Sequence, residues 1–430
     1  MLFPAAAIVA VSDVSGTQPS AAGAPQVGLS LPDADSLFEL APGYRVRCIA
    51  RLPQPIIMGL ALGDVCGDGW PELITGTGPD SRLYFHRYDP VSKTFKTHLF
   101  AERLAGADCP NGVVSNILVA DLNGNGTNEI VAMTDQEFED SNMKFWIFFR
   151  DAAGWQKKMV AVPGMSHWTH GLAVHEDQRE GMLDIFSVHC GHGEVFRYSF
   201  SRDLLGINLR IVKLMWAPGE NLEIADVFNT GRKKLIVVQG DDFYNTAVKI
   251  YGFTSVGLTK WPEACIDSYQ EKRFCDATTC TGDLDNDGKN EMVVGWAYPR
   301  SGAEITLVVY KFDTTGEVVD IIPLVEFSGD YGTGYLEARM RIGKIGSDSR
   351  NRLYVSRAEK GIYQFTLEPN GHKSVTHILR PKVRNFSTGR ILLGDLDRDG
   401  RNELIFVGSV AFGEGQSEAL VFLLNGGGDG

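Results

Sequence analysis

Nine-residue acidic segments carry the clearest chemistry in this sequence. Three agree almost residue for residue: Asp121-Leu-Asn-Gly-Asn-Gly-Thr-Asn-Glu129, Asp283-Leu-Asp-Asn-Asp-Gly-Lys-Asn-Glu291 and Asp395-Leu-Asp-Arg-Asp-Gly-Arg-Asn-Glu403. Alternate positions place short oxygen ligands on one tight turn, and the glycine permits the positive φ the turn needs. Ca²⁺ takes six to eight oxygens, which such a turn supplies from side chains, a backbone carbonyl and water. The ligand sets are Asp121, Asn123, Asn125, Thr127 and Glu129; Asp283, Asp285, Asp287, Lys289 and Glu291; and Asp395, Asp397, Asp399, Arg401 and Glu403. A fourth set, Asp64, Asp68 and Glu72, is weakened by Cys66, a poor ligand for a hard cation. A metal-free alternative stands beside this one: Asp and Asn in tight turns cap their own backbone. The second chemical cluster is histidine-rich, with His167, His170, His175, His189 and His192 close together in sequence.

The acidic segments are one part of a longer repeat. Three degenerate copies start at Glu176, Asp226 and Lys344. With the others they begin at 64, 121, 176, 226, 283, 344 and 395, a period of about 55 residues. The copy at 226 ends in Lys234, whose ammonium is a candidate substitute for an ion, and Lys344 and Arg352 argue against a cation in the copy at 344. Each copy lies between short apolar runs, such as Gly59–Leu62 before and Leu73–Ile74 after. An alternating aromatic strand and a more polar strand follow, as in Leu83–Tyr88 and Phe95–Phe100. Period-two patterning with Gly, Asp or Pro at the joints reads as β. Four strands per unit, seven times over, predict an all-β, seven-bladed β-propeller. The last unit lacks a fourth strand, and Gly43–Arg51 has that pattern. The expectation is a ring closed by this N-terminal strand, which removes an open edge.

The repeats resemble the FG-GAP and VCBS repeats of the integrin-alpha N-terminal propeller superfamily over about residues 43–425, although the usual final Asp is Glu in four copies. The layout is similar to that of small FG-GAP repeat proteins, and to some propeller lectins and sugar lyases. The resemblance implies calcium-binding loops and a role in interaction.

Ligand-binding residues are expected on the face opposite the acidic loops. Two loops of the third blade, 166–171 and 188–193, would meet there. The candidates are His167, Trp168, His170, His189, His192, Arg273, Trp296, Tyr298, Tyr335, Arg357 and Arg390. Three readings compete. His170, His189 and His192 suit a transition metal in blade three. The aromatic and charged groups suit a carbohydrate or protein ligand. Simple packing of the loops is the third. No nucleophile elbow, P-loop, dinucleotide fingerprint or zinc-protease motif occurs. A non-catalytic binding module is therefore the leading expectation. A sugar-directed lyase or dehydratase using the blade-three histidines is the alternative.

Composition sets the outer limits. A formal charge of -13 opposes a nucleic-acid partner. No apolar run reaches the roughly 20 residues of a membrane span. Residues 1–35 read as a flexible leader or weak signal peptide, 43–425 as the propeller and 426–430 as a Gly-rich tail. Seven cysteines are no dense disulfide framework; Cys275 and Cys280 are near enough to pair, but reduced buried thiols are favoured. Neither cysteine usage nor the N-terminus separates a cytoplasmic from a secreted protein.

Overall fold

The computed structural model describes residues 30–426 except 55, 107–108, 110, 136–143, 162–168, 177–181, 190–192, 205, 215–218, 242–243, 256, 268–275, 299–303, 328–338, 385 and 412–416. The architecture is the expected all-β one: seven four-stranded antiparallel blades of a β-propeller. They fall into two compact units, Gln54–Trp216, and Ser30–Pro53 with Ala217–Gly430.

The first unit holds blades one to three. Blade one is Ile56–Gly63, Glu72–Gly78, Arg82–Asp89 and Thr94–Ala101, paired in sequence order. Blade two runs from Val113–Ala120 to Gly154–Ala161, and blade three from Thr169–Glu176 to Ile207–Leu214. The first strands of these blades lie against one another, so they are the inner strands. Both faces of each sheet bury apolar side chains against the next. Phe85 and Phe100 of blade one meet Phe148 and Trp155 of blade two, and Phe145 of blade two stacks on Tyr198 of blade three.

The second unit holds blades four to seven, with inner strands Gly219–Ala225, Asp276–Gly282, Met340–Gly343 and Phe386–Gly394. Blade seven takes its fourth strand from the N-terminal side of the chain. Tyr44–Leu52 pairs antiparallel with Ser417–Gly426, from Tyr44 opposite Gly426 to Leu52 opposite Ala419. The strand expected at 43–51 is therefore present and in its expected place. A segment without a sequence signal precedes it. Ala34–Leu37 forms one helical turn, and Phe38–Leu40 adds a fifth strand to the outer edge of blade six. Phe38 is 2% exposed and makes edge-on contacts with Phe386, Phe406 and Phe422 of blade seven. This strap covers a strand edge that would otherwise be open.

His86 lies in the core of blade one. Its two ring nitrogens meet the hydroxyls of Thr75 and Thr97, each at 2.9 Å. Burial, then the neighbouring His98, pushes its pKa down to about 3. The unfolded chain thus takes up a proton that the folded chain refuses. The stability from neutral burial is complete above pH about 6.5 and is lost as pH falls toward 3. Against a His86→Gln variant, the native protein is expected to lose roughly 1.4 kcal/mol per pH unit below pH about 6. Urea midpoints of both proteins from pH 7 to pH 4 read this directly. A stability difference that stays constant over that range contradicts neutral burial.

Candidate functional site: the acidic loops and the opposite face

The acidic loops join the first strand of a blade to the second, and a common hydrogen-bond plan shapes five of them; most of the copy starting at Glu176 lies outside the described residues. The first Asp accepts from the backbone N–H of the glycine at position six in five loops: Asp64 from Gly69, Asp121 from Gly126, Asp226 from Gly231, Asp283 from Gly288 and Asp395 from Gly400, at 2.7–3.2 Å. That glycine has φ between 75° and 88°. Position four is left-handed too, in Gly67, Gly124, Asn229, Asn286 and Arg398. The side chain at position five accepts from the N–H two residues on, as Asp399 does from Arg401. Position two is apolar and fully buried in Val65, Leu122, Val227, Leu284, Ile345 and Leu396. The copy at 226, degenerate by sequence, keeps positions one, four and six and so keeps the turn.

The last Glu of the four good loops is a strut. The Oε2 atoms of Glu72, Glu129, Glu291 and Glu403 accept from the N–H of Val65, Leu122, Leu284 and Leu396 at 2.7–3.1 Å. All four carboxylates are buried. Burial raises each pKa, to about 7 in Glu129, Glu291 and Glu403. In blade one the Cys66 thiol, pushed up to about 12 chiefly by burial, hydrogen-bonds Glu72 and stays protonated. Blade one thus lacks the third-position oxygen of the other loops.

Position eight links loops of neighbouring blades, a role that sequence reading missed. The side-chain amides of Asn128, Asn290 and Asn351 donate to the carbonyls of Asp64, Asp226 and Asp283, the first residue of the preceding loop, at 2.8–2.9 Å. Asn229 and Asn286 reciprocate by accepting from the N–H of Asn290 and Asn351, both at 2.7 Å. The recurrence of Asn before the final Glu was the available signal.

The third strand decides the charge of each loop. Continuing each strand register by one residue brings Arg87 opposite the final Glu in blade one, Phe149 in blade two, Lys311 in blade five and Asn425 in blade seven. Arg87 pairs with Asp68 and lies 3.7 Å from Glu72. Lys311 pairs with Asp285 and lies 3.5 Å from Glu291. In blade seven ligand atoms of Asp395, Asp397, Asp399 and Glu403 all lie within 4.8 Å of one another. The Oδ1 atoms of Asp397 in this loop and of Asn425 on the third strand are buried with no hydrogen-bond partner among the described residues. Among the described residues, Asp283, Asp285 and Asp287 form the other close carboxylate set, beside Lys311. Lys234 pairs with Glu263, just before the outer strand of blade four, at 2.5 Å, and its ammonium lies 5.4 Å over the Phe228 ring of its own loop.

On the opposite face the expected residues separate. Trp296 is fully buried, donates to the Tyr310 hydroxyl at 3.3 Å and belongs to the core. Thr77, Thr134 and Gln239, at the equivalent end of the second strand, are buried as well, because the inner strand lies in front of them. Arg357 is 6% exposed, with its guanidinium 3.7 Å over the Phe327 ring and 5.3 Å from that of Tyr363. Tyr363 stacks on His377 at 4.0 Å. Arg390 is half-buried on the inner strand of blade seven. In blade three the backbone pairs Thr169 with His189, and His170 sits in the adjoining bulge. The side chains of His170, His189 and Tyr298, and all of His167, Trp168, His192, Arg273 and Tyr335, lie outside the described residues. Cys275 does also, and Cys280 is a buried free thiol.

A scan of the chain against protein-family models finds no match, and a search of curated proteins finds none either.

The Asn latches make a stability prediction. Asn351→Ala removes the donor to Asp283 and leaves that carbonyl unpaired. It is expected to cost about 1–2 kcal/mol in denaturant unfolding. Asn370→Ala, in an exposed turn, serves as the control. Equal midpoints for the two variants contradict a structural role for the latch.

Proposed function

We propose that the chain is a non-catalytic binding propeller of the FG-GAP/VCBS kind, with a divalent hard cation, Ca²⁺, stiffening the acidic loop of blade seven. Protein or carbohydrate is recognised on the face opposite the loops. One contrast carries the cation reading. Blades one and five supply their own cation from the third strand, Arg87 and Lys311. Blade seven puts the neutral Asn425 at that place, beside crowded carboxylates. Burial, then Asp399 and Asp395, raises the Asp397 pKa, with Arg47 acting against the rise. Buried oxygens without donors are costly, and a hard cation is the partner they lack. Asp395, Asp397, Asp399 and Asn425 would hold it. When bound, it neutralises the loop and ties the first and third strands together.

The interaction reading is supported by the chemistry that is spent and the chemistry that is on offer. The loop carboxylates hold backbone N–H groups, so they shape the turn, and any cation they take adds to that order rather than recognising a partner. The other face offers the half-buried Phe327, Tyr363 and His377 rings around Arg357. Flat π surfaces with a guanidinium suit sugar rings and aromatic side chains.

Thermal unfolding in millimolar calcium and in chelator tests the cation. Calcium is expected to raise the melting temperature by a few degrees, as binding to the folded state alone requires. Asp397→Asn is expected to abolish the rise, and Lys311→Met to add a second calcium site in blade five. Identical melting of the native protein in calcium and chelator overturns the reading.

A further inference from the structure

The sequence contains five Asn-Gly steps, at Asn111, Asn123, Asn125, Asn370 and Asn425. Such a step has a reaction built into it. The glycine backbone nitrogen can attack the asparagine side-chain carbonyl carbon, and glycine has no Cβ to shield that nitrogen. In a folded chain, what holds the glycine N–H decides which step reacts.

Four of the five steps are held. The Gly112 N–H donates to the Cys109 carbonyl at 3.1 Å, and the Gly371 N–H to the Glu368 carbonyl at 2.8 Å. The Gly126 N–H donates to Asp121 Oδ2 at 2.7 Å. Asn425 and Gly426 lie in the third strand of blade seven, paired with Tyr44–Leu52. Asn123 is different. Among the described residues the Gly124 N–H meets no acceptor. Blade one shows the contrast: there Asp64 Oδ1 holds the corresponding N–H, that of Gly67, at 2.7 Å. In blade two the matching oxygen of Asp121 accepts from the Asn125 N–H instead, at 3.0 Å. Gly124 is exposed, with φ 70°, so water reaches it.

The Asn123 side chain is also placed for attack. Its Oδ1 accepts from the Asn125 N–H at 3.1 Å. This Asx turn closes a ring of atoms that contains both the side-chain carbonyl carbon and the Gly124 nitrogen, which keeps the two together. The same Asn125 N–H donates to the oxygen on which negative charge develops during attack.

We propose that Asn123 is a self-modifying site, where deamidation by water gives the blade-two loop a carboxylate at its third position. Asp285 and Asp397 hold that position in blades five and seven. Hydroxide removes the Gly124 proton as the nitrogen attacks. A bond forms between that nitrogen and the Asn123 side-chain carbonyl carbon, the carboxamide carbon–nitrogen bond breaks, and the leaving nitrogen takes a proton from water to depart as ammonia. Water then adds to either carbonyl of the cyclic imide, and the ring nitrogen leaves that carbon with a proton. The products are aspartate and isoaspartate at position 123, with no change of oxidation state. The loop thus gains a negative charge with the age of the molecule. Phe149 stands where Arg87 and Lys311 bring a cation in blades one and five, so the third strand does not offset the charge at that place.

The test is to incubate the full chain at pH 8, folded in buffer and unfolded in urea, and to follow all five steps by peptide mass spectrometry with isoaspartate detection. In urea the five steps are expected to react at similar rates. In the folded protein Asn123 is expected to lead, with Asn111, Asn125 and Asn370 slower by roughly tenfold, the factor that one net hydrogen bond on the attacking N–H supports. Lowering the pH to 6 is expected to slow the reaction at Asn123, because the attacking nitrogen must lose its proton. Asn123→Gln, whose longer side chain disfavours ring closure, is expected to remove the product at 123 and leave the other four steps unchanged. An intact Asn123 in folded protein after its unfolded counterpart has reacted overturns the proposal. So does a folded protein in which Asn125, Asn111 or Asn370 reacts first. The reaction needs no cation, so a calcium response of the blade-seven loop bears on neither result.

Discussion

The structure depends on one small hydrogen-bonded device: an aspartate that closes a nine-residue turn by accepting backbone N–H groups. Asp395 shows it in full, with Oδ1 on the Asp399 N–H and Oδ2 on the Gly400 N–H. The turn requires two left-handed residues, which explains Gly at position six and Gly or Asn at most fourth positions. Once closed, the turn sends its second residue into the core and sets the final Glu to hold the N–H of that residue. Its eighth residue then grips the preceding loop. Strand connection, core plug and inter-blade latch thus follow from a single turn. Each hydrogen bond contributes only about 1 kcal/mol net, but the device recurs in blade after blade.

This view changes what the acidic residues mean. A run of Asp, Asn and Glu at alternate positions suggests a cation site, yet most of its oxygens are already occupied by main-chain donors. What remains for an ion is decided outside the motif, by the residue that the third strand places opposite the final Glu. Arg87 and Lys311 pair with carboxylates of their own loops, whereas the blade-seven loop crowds four carboxylates together. Loops of nearly equal sequence therefore differ in charge balance.

Much of the fold was legible because a propeller repeats its patterning, and each copy corroborates the others. The strand at 44–52 was readable as the missing fourth strand because its absence from the C-terminal end was conspicuous. The strap at 34–40 was not, since three residues around one buried Phe38 have no periodicity to detect. The loop ligands were legible as oxygen donors, but their donors are backbone atoms, which sequence patterns do not display. Trp296 and Arg357 show the limit on the other face. Both occupy the end of a second strand, and the inner strand in front of them buries side chains whose types suggested exposure.

The central claim is that the loops are held by their own carboxylates, with a cation only adding to that order. Amide hydrogen exchange in metal-free protein tests it most directly, at the N–H groups of Gly69, Gly126, Gly231, Gly288 and Gly400. Exchange much slower than in an open chain is expected at all five, with calcium slowing Gly400 further. Unprotected exchange at these glycines until calcium is added would contradict it.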